Sequence, residues 1–156
     1  MRVGIGYDAH VLKAGLPLVL GGVRVPYEKG LEGYSDADVL VHAIMDALLG
    51  AAGLRDIGYQ YPTGDPQYAG ISSILLLQRV GWMVCAEGFT ISNLDCVLIA
   101  QEPRIAPYVD EMRHNIAAAL QIEDGKVMVK ATTTDGLGFT GRGEGMAAQA
   151  VALLQE

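Results

Sequence analysis

Asp8 and His10 stand two residues apart in the run Gly6-Tyr7-Asp8-Ala9-His10, and in an extended segment that spacing sends both side chains off one face. A carboxylate and an imidazole presented together suit a catalytic zinc site, which takes three protein ligands and keeps a fourth position open. His42 is the natural third donor. It sits among Val39, Leu40, Val41, Ala43, Ile44 and Met45, where its polar ring needs a partner. A metal or a hydrogen bond in the core would each satisfy it, and the chain has only three histidines. Asp38 and Asp46 flank His42 at spacing four and could contact or orient it, although Asp38 suits a plain helix cap equally well. His114, between Arg113 and Asn115, reads as a solvated surface residue.

A second constellation is the run from Lys130 to Gly145, which gathers Thr132, Thr133, Thr134, Asp135, Thr140, Arg142 and five glycines. Backbone N–H groups beside glycines can approach an anion, and a following helix would add the partial positive charge of its N-terminus. The run reads as a phosphate and cation site. No Walker or dinucleotide spacing is present, so an ordinary Gly-rich turn is the plainer alternative. The loop from Arg55 to Pro66 carries two acids and could bind sugar hydroxyls or merely connect helices. The segment Ala100 to Ala106 leaves a strand, and its free backbone groups could read a base edge or cap the next helix.

These residues need a scaffold, and 156 residues with 51% hydrophobic content supply one domain with a real core, spanning residues 1–156. Alternation predicts strands over 2–7 and 18–25, the latter ended by Pro26. A helix is expected over 38–52, with Ser35 and Asp38 spaced as a capping box and Gly53 at its end. Further helices are expected over 72–86 and 107–120, and strands over 89–101 and 126–132. Cys96 to Ala100 suits a strand buried on both faces. Residues 144–154, small and apolar nearly all round, read as a last helix buried on several sides, which favours an oligomer. The order of elements implies an α+β or α/β sandwich, and the fold expected is α+β, a mixed four-stranded sheet covered by helices in a ferredoxin-like βαβ sandwich.

A net charge of -7 argues against nucleic-acid and anionic-membrane partners. Neither a signal peptide nor a transmembrane run is visible, so a cytoplasmic location is expected. Cys85 and Cys96 share no metal-like spacing and read as packing residues.

Four pieces in register, Gly6 to His10, Gly21 to Leu31, Ser35-Asp36-Ala37-Asp38 with His42, and Lys130 to Gly145, resemble the 2-C-methyl-D-erythritol 2,4-cyclodiphosphate synthases from residue 2 to about 154. The resemblance implies conversion of 4-diphosphocytidyl-2-C-methyl-D-erythritol 2-phosphate to the cyclodiphosphate plus CMP, in the non-mevalonate route to isoprenoids. It implies a homotrimer with active sites between subunits. It also implies Asp8, His10 and His42 as ligands of Zn²⁺ or a similar divalent metal, and Asp135 as a ligand of Mg²⁺ or Mn²⁺. Thr132, Thr133 and Thr134 would face the diphosphate, with Thr133 and Tyr34 catalytic. Ala100, Arg104, Ile105 and Ala106 would take the cytosine and Asp56 the ribose. Ser35, Ile57, Gly58, Tyr61 and Asp65 would line the methylerythritol end, and Phe139 and Arg142 would approach the site or the trimer axis.

The chain departs from the family pattern at three points. Tyr34 stands where the family carries a His, and Tyr carries no positive charge at neutral pH. Tyr61-Pro62-Thr63-Gly64-Asp65 replaces Phe-Pro-Asp-Thr-Asp, and Asp135 replaces a Glu. Two other functions fit the same residues: a catalytically weak trimeric zinc and cytidine-nucleotide binding protein, and a zinc phosphoesterase with Asp46 or Asp56 as base.

Overall fold

The computed structural model describes residues 1–156. Strand β1 runs Arg2–Ala14, β2 Leu18–Leu20, β3 Val23–Val25 and β4 Lys29–Leu31, and helix α1 follows at Val39–Ala52. A short helix α2 (Ile57–Gln60) and a 3-10 turn (Pro66–Tyr68) lead to α3 (Ser73–Ala86). Then come β5 (Thr90–Ile99), α4 (Val109–Leu120), β6 (Val127–Thr132), α5 (Gly138–Gly141) and β7 (Gly145–Gln155).

The sheet has five strands rather than four, in the order β4-β1-β7-β5-β6. All its pairings are antiparallel except β5 with β6. The expected strand over 18–25 is instead the separate hairpin β2-β3, because Gly21 and Gly22 both take positive φ (57° and 72°) in its two-residue turn. The expected last helix over 144–154 is strand β7, central in the sheet. Its alanines favour a helix by propensity, but burial alternates with period two at its inner end: Ala148, Ala150, Ala152 and Leu154 are at 0% exposure, while Gln149 and Val151 are exposed.

Those alanines serve α1, whose residues from Val39 to Leu49 are almost all fully buried. Gly4 pairs with Ala152 and Gly6 with Ala150, forming a platform of small residues beneath the helix. A Cβ on Gly4 would lie 2.0 Å from the Ala47 carbonyl, and one on Gly6 1.9 Å from that of Ala43. Only glycine permits this approach. Asp8 and His10 continue the same face of β1, so the register that seats Ala47 and Ala43 over the glycines brings His42 over Asp8.

The helices α1, α3 and α4 cover one face of the sheet. The other face is open: Val3, Ile5, Tyr7 and Val11 of β1, Val151 of β7 and Met128 of β6 are 41–70% exposed. Val97 and Ile99 of β5 are correspondingly half-buried, against the expectation of a strand buried on both sides.

Candidate functional site

Asp38, not a Ser35–Asp38 capping box, starts α1. Its fully buried carboxylate accepts from the Val41 N–H (3.1 Å), the Gly21 N–H (2.9 Å) and the Gly22 N–H (2.7 Å), tying the hairpin turn to the helix. Burial, resisted by those hydrogen bonds, pushes its pKa up to about 6. The Asp38 carboxylate therefore does not reach the His42 ring, though the Asp38 carbonyl accepts from the His42 N–H at 3.0 Å. Asp46 does not reach the ring either: its Oδ1 accepts from the Ile57 N–H at 2.8 Å and so holds α2 against α1.

Three donor atoms converge where β1 meets α1. Asp8 Oδ2 lies 2.8 Å from His10 Nε2 and 3.0 Å from His42 Nδ1, and the two ring nitrogens are 3.2 Å apart. All lie within 4.8 Å of one another, as ligands of one ion do, and this is the only such group of three or more in the chain. Burial raises the Asp8 pKa, but hydrogen bonds to His10 and His42 outweigh it and hold the carboxyl at about 2. Burial disfavours the His10 imidazolium, yet the hydrogen bond to Asp8 and its charge keep the His10 pKa above its ordinary value. The His10 Nδ1–H donates to the Glu32 carbonyl at 2.8 Å, which turns Nε2 toward the other two ligands. An oxygen and two imidazole nitrogens on a partly open cleft suit a divalent ion such as zinc with positions left for a ligand.

The triad opens into a cleft of about 180 Å³, lined by Tyr34, Ser35, Ile57, Gly58 and Tyr61 of the predicted set, and by Met45, Thr63, Tyr68 and Leu76. Asp56 and Asp65 are not in its wall. Asp56 caps α2 through the Tyr59 N–H (2.8 Å), and Asp65 caps the following 3-10 turn through the Gln67 N–H (3.1 Å).

A second cleft, of about 600 Å³, is formed by residues 100–106, Ala131, Thr132, Thr133 and Tyr27. It shares no residue with the first. Gln101 Oε1 accepts from the Gly136 N–H at 3.2 Å and so fastens the 133–144 loop to the 100–106 segment. Thr133 Oγ1 donates to Asp135 Oδ1 at 3.2 Å, with Asp135 at φ 52°. Asp135 stands apart from the triad and belongs to no cluster of three metal-binding side chains. The Thr134 hydroxyl donates to the Leu137 carbonyl at 2.6 Å, bracing the loop. Phe139 and Arg142 line neither cleft, and Arg142 pairs with Glu144 at 2.9 Å. Because β7 follows the loop, no long helix aims its N-terminus at a phosphate here, contrary to the sequence expectation; only the four-residue α5 intervenes.

Of the free thiols Cys96 matches expectation, buried as a packing residue with its thiol lifted by burial to about 12, whereas Cys85 is exposed. His114 is exposed and meets Asp124 Oδ2 at 3.1 Å. Sequence reasoning missed Ser73 and Asp36, which stand behind His42, and Tyr27 in the second cleft. Tyr27 lay within the Gly21–Leu31 run, but Ser73 carried no signal beyond its place at a helix start.

Residues 1–155 match the family model described as the YgbB family. The 2-C-methyl-D-erythritol 2,4-cyclodiphosphate synthase of Pelotomaculum thermopropionicum is 58% identical over 156 residues, covering 100% of this chain and 96% of that one. Among solved structures, the bifunctional IspDF from Campylobacter jejuni is 41% identical with a TM-score of 0.94, covering 98% of this chain and 42% of its own. IspF of Plasmodium falciparum, in a CDP complex, is 31% identical with a TM-score of 0.86, covering 98% of this chain and 94% of its own. No helix here is long and apolar enough to cross a membrane.

Proposed function

We propose how the two clefts carry out catalysis from the premise that the chain belongs to the YgbB family, that of the 2-C-methyl-D-erythritol 2,4-cyclodiphosphate synthases. The activity is conversion of 4-diphosphocytidyl-2-C-methyl-D-erythritol 2-phosphate to the 2,4-cyclodiphosphate and CMP, in isoprenoid biosynthesis. In class it is a phosphorus–oxygen lyase reaction. The convergence of Asp8 Oδ2, His10 Nε2 and His42 Nδ1 on one point carries the reading of the site.

The attacking group needs little activation. A phosphate monoester has a second pKa near 6, so the 2-phosphate is largely an oxyanion at neutral pH and requires no general base. Its oxygen forms a bond to the β-phosphorus, the bond from that phosphorus to the bridging oxygen breaks, and CMP leaves with the electron pair. Repulsion between anions and the entropy of alignment are what oppose this, and positioning can offset roughly 7–11 kcal/mol in favourable cases. Asp8, His10 and His42 would hold a divalent ion, zinc by its donor set, which would supply positive charge to offset the repulsion between the phosphates. Asp135 is the ligand we assign to a second ion, Mg²⁺ or Mn²⁺.

The methylerythritol end lies in the first cleft against Ile57, Gly58 and Tyr61, with Ser35 and Tyr34 at its edge. The cytosine lies in the second cleft against the backbone of Ala100 to Ala106, and Thr132 and Thr133 approach the diphosphate from there. Asp56 reaches the ribose. One substrate needs both sets of residues, which this chain displays in separate clefts, and its open sheet face exposes Val3, Ile5, Tyr7 and Val11. Both observations support a homotrimer in which the triad of one subunit meets the nucleotide cleft of the next. Phosphorus NMR of the reaction tests the proposal: a cyclic diphosphate and CMP are expected, and the signal is lost in His42→Ala. CMP with an open-chain bisphosphate would mean hydrolysis and would overturn it.

A further inference from the structure

His42 is held from behind as well as in front. Its Nε2 lies 2.9 Å from Ser73 Oγ and 3.1 Å from Ser35 Oγ. Ser73, fully buried at the first turn of α3, donates its hydroxyl proton to Asp36 Oδ1. Asp36 Oδ2 meanwhile accepts from the Ser73 N–H at 3.0 Å, and Oδ1 also accepts from the Asp38 N–H at 3.2 Å. Every neighbour of the Asp36 carboxylate is thus a donor, and the carboxylate itself can only accept.

The direction of the Ser73–His42 contact follows. The Ser73 proton is committed to Asp36, so Oγ offers His42 a lone pair and Nε2 must carry the hydrogen. Nδ1 is then the nitrogen left to a metal, and it is the atom facing Asp8 and His10; without a metal it donates to Asp8 Oδ2 at 3.0 Å. We infer that Asp36 and Ser73 form a positioning relay that fixes the tautomer and ring orientation of His42 and so presents Nδ1 to the metal. The inference rests on the metal reading above. Outer partners of this kind typically contribute 10–100-fold in metal affinity. Ser35 has no carboxylate behind it and accepts from the Ala37 N–H at 3.4 Å, so it follows the tautomer rather than setting it.

The relay also links three segments. Asp36 precedes α1, His42 is on α1 and Ser73 opens α3, so the start of α3 is fixed against the ligand-bearing turn of α1. A bare metal triad on β1 and α1 would not require α3.

The test combines ¹⁵N NMR of histidine-labelled protein with zinc titration against a competing chelator. In metal-free wild-type protein His42 Nε2 should carry a hydrogen, and in the zinc-loaded protein the ring should be the Nε2–H tautomer. Ser73→Ala and Asp36→Asn should mix the tautomers and weaken zinc binding 10–100-fold, while Ser35→Ala changes affinity less than threefold and leaves the tautomer unchanged. An Nδ1–H tautomer in the wild type, or wild-type zinc affinity in folded Ser73→Ala, would overturn the relay. The wild-type spectrum decides even where a variant does not fold. Wild-type protein that takes up no zinc would overturn the metal reading instead, and the metal-free spectrum would still decide the relay.

Discussion

Replacing Gly6 by Ala tests whether the seat of α1 on β1 sets the triad. The new Cβ would lie 1.9 Å from the Ala43 carbonyl oxygen and 2.8 Å from the Ala47 nitrogen, both backbone atoms that no rotamer can move aside. Ordinary contact begins at 3.4 Å, so the helix must lift from the strand by about 1.5 Å, whereas ligand distances at a metal site hold to about ±0.2 Å. His42 rides on that turn. The expected result is zinc affinity reduced more than 100-fold, together with destabilisation of about 1–3 kcal/mol or more from overpacking. Gly50→Ala is the control: it lies on the same helix, its added Cβ meets nothing within 4 Å, and it should raise stability by about 0.5–1 kcal/mol. Chelator-competition titration and thermal melts of the three proteins decide the matter. Wild-type zinc affinity and melting temperature in Gly6→Ala would refute the claim that the glycine platform positions the site.

Three more expectations follow from the same geometry. Zinc needs a neutral His10, whose metal-free pKa is raised by Asp8 despite burial. Apparent zinc affinity should therefore already be falling with pH above the ordinary imidazole value, by about tenfold per unit once His10 is protonated. The His10 contribution to metal-free stability runs the other way: present below the unfolded pKa, it is lost as pH rises through the folded one. A flat titration of affinity between about pH 6 and 8 would contradict both. Mixing His42→Ala with Thr133→Ala subunits through reversible dissociation should restore activity at about a quarter of interfaces, each of which then pairs an intact triad with an intact nucleotide cleft; no recovery in mixed trimers would place both halves in one subunit. Tyr34→His adds a donor that can carry charge, worth about 1 kcal/mol over a neutral one, so kcat should rise about fivefold; a fall would show that the phenol is the better fit.

Helix α1 was legible because everything local agreed: an unbroken apolar run, Asp38 to accept the first N–H groups and Gly53 to end it in the left-handed conformation at φ 77°. The ligands Asp8, His10 and His42 were legible for a related reason, since strand periodicity and a lone polar ring in an apolar helix are both visible along the chain. Strand β7 was not. Its alanines are small because a helix lies close over them, and that reason resides in α1 and in Gly4 and Gly6, about 140 residues away in sequence. Ser73 was hidden in the same way: a serine at a helix start reads as a cap, and only the fold places Asp36 on one side of it and His42 on the other. The separation of the two clefts could not be read at all, because spacing along a chain says which residues share a segment and nothing about which copy they serve.

The open face of the sheet has a cost before any chemistry begins. A newly made subunit shows water a row of Val3, Ile5, Tyr7 and Val11 on one strand, with Val151 beside it. Covering such a side chain fully is worth about 1.5–3 kcal/mol. That makes the face adhesive toward any apolar surface, so assembly of the proposed homotrimer is a race between like subunits meeting and wrong ones sticking. The outcome of that race depends on concentration: dilute chains linger with the face uncovered and are the ones exposed to aggregation and proteolysis. The net charge of -7 on each copy slows both right and wrong encounters between copies. Yield of active protein on refolding should therefore pass through a maximum as concentration rises.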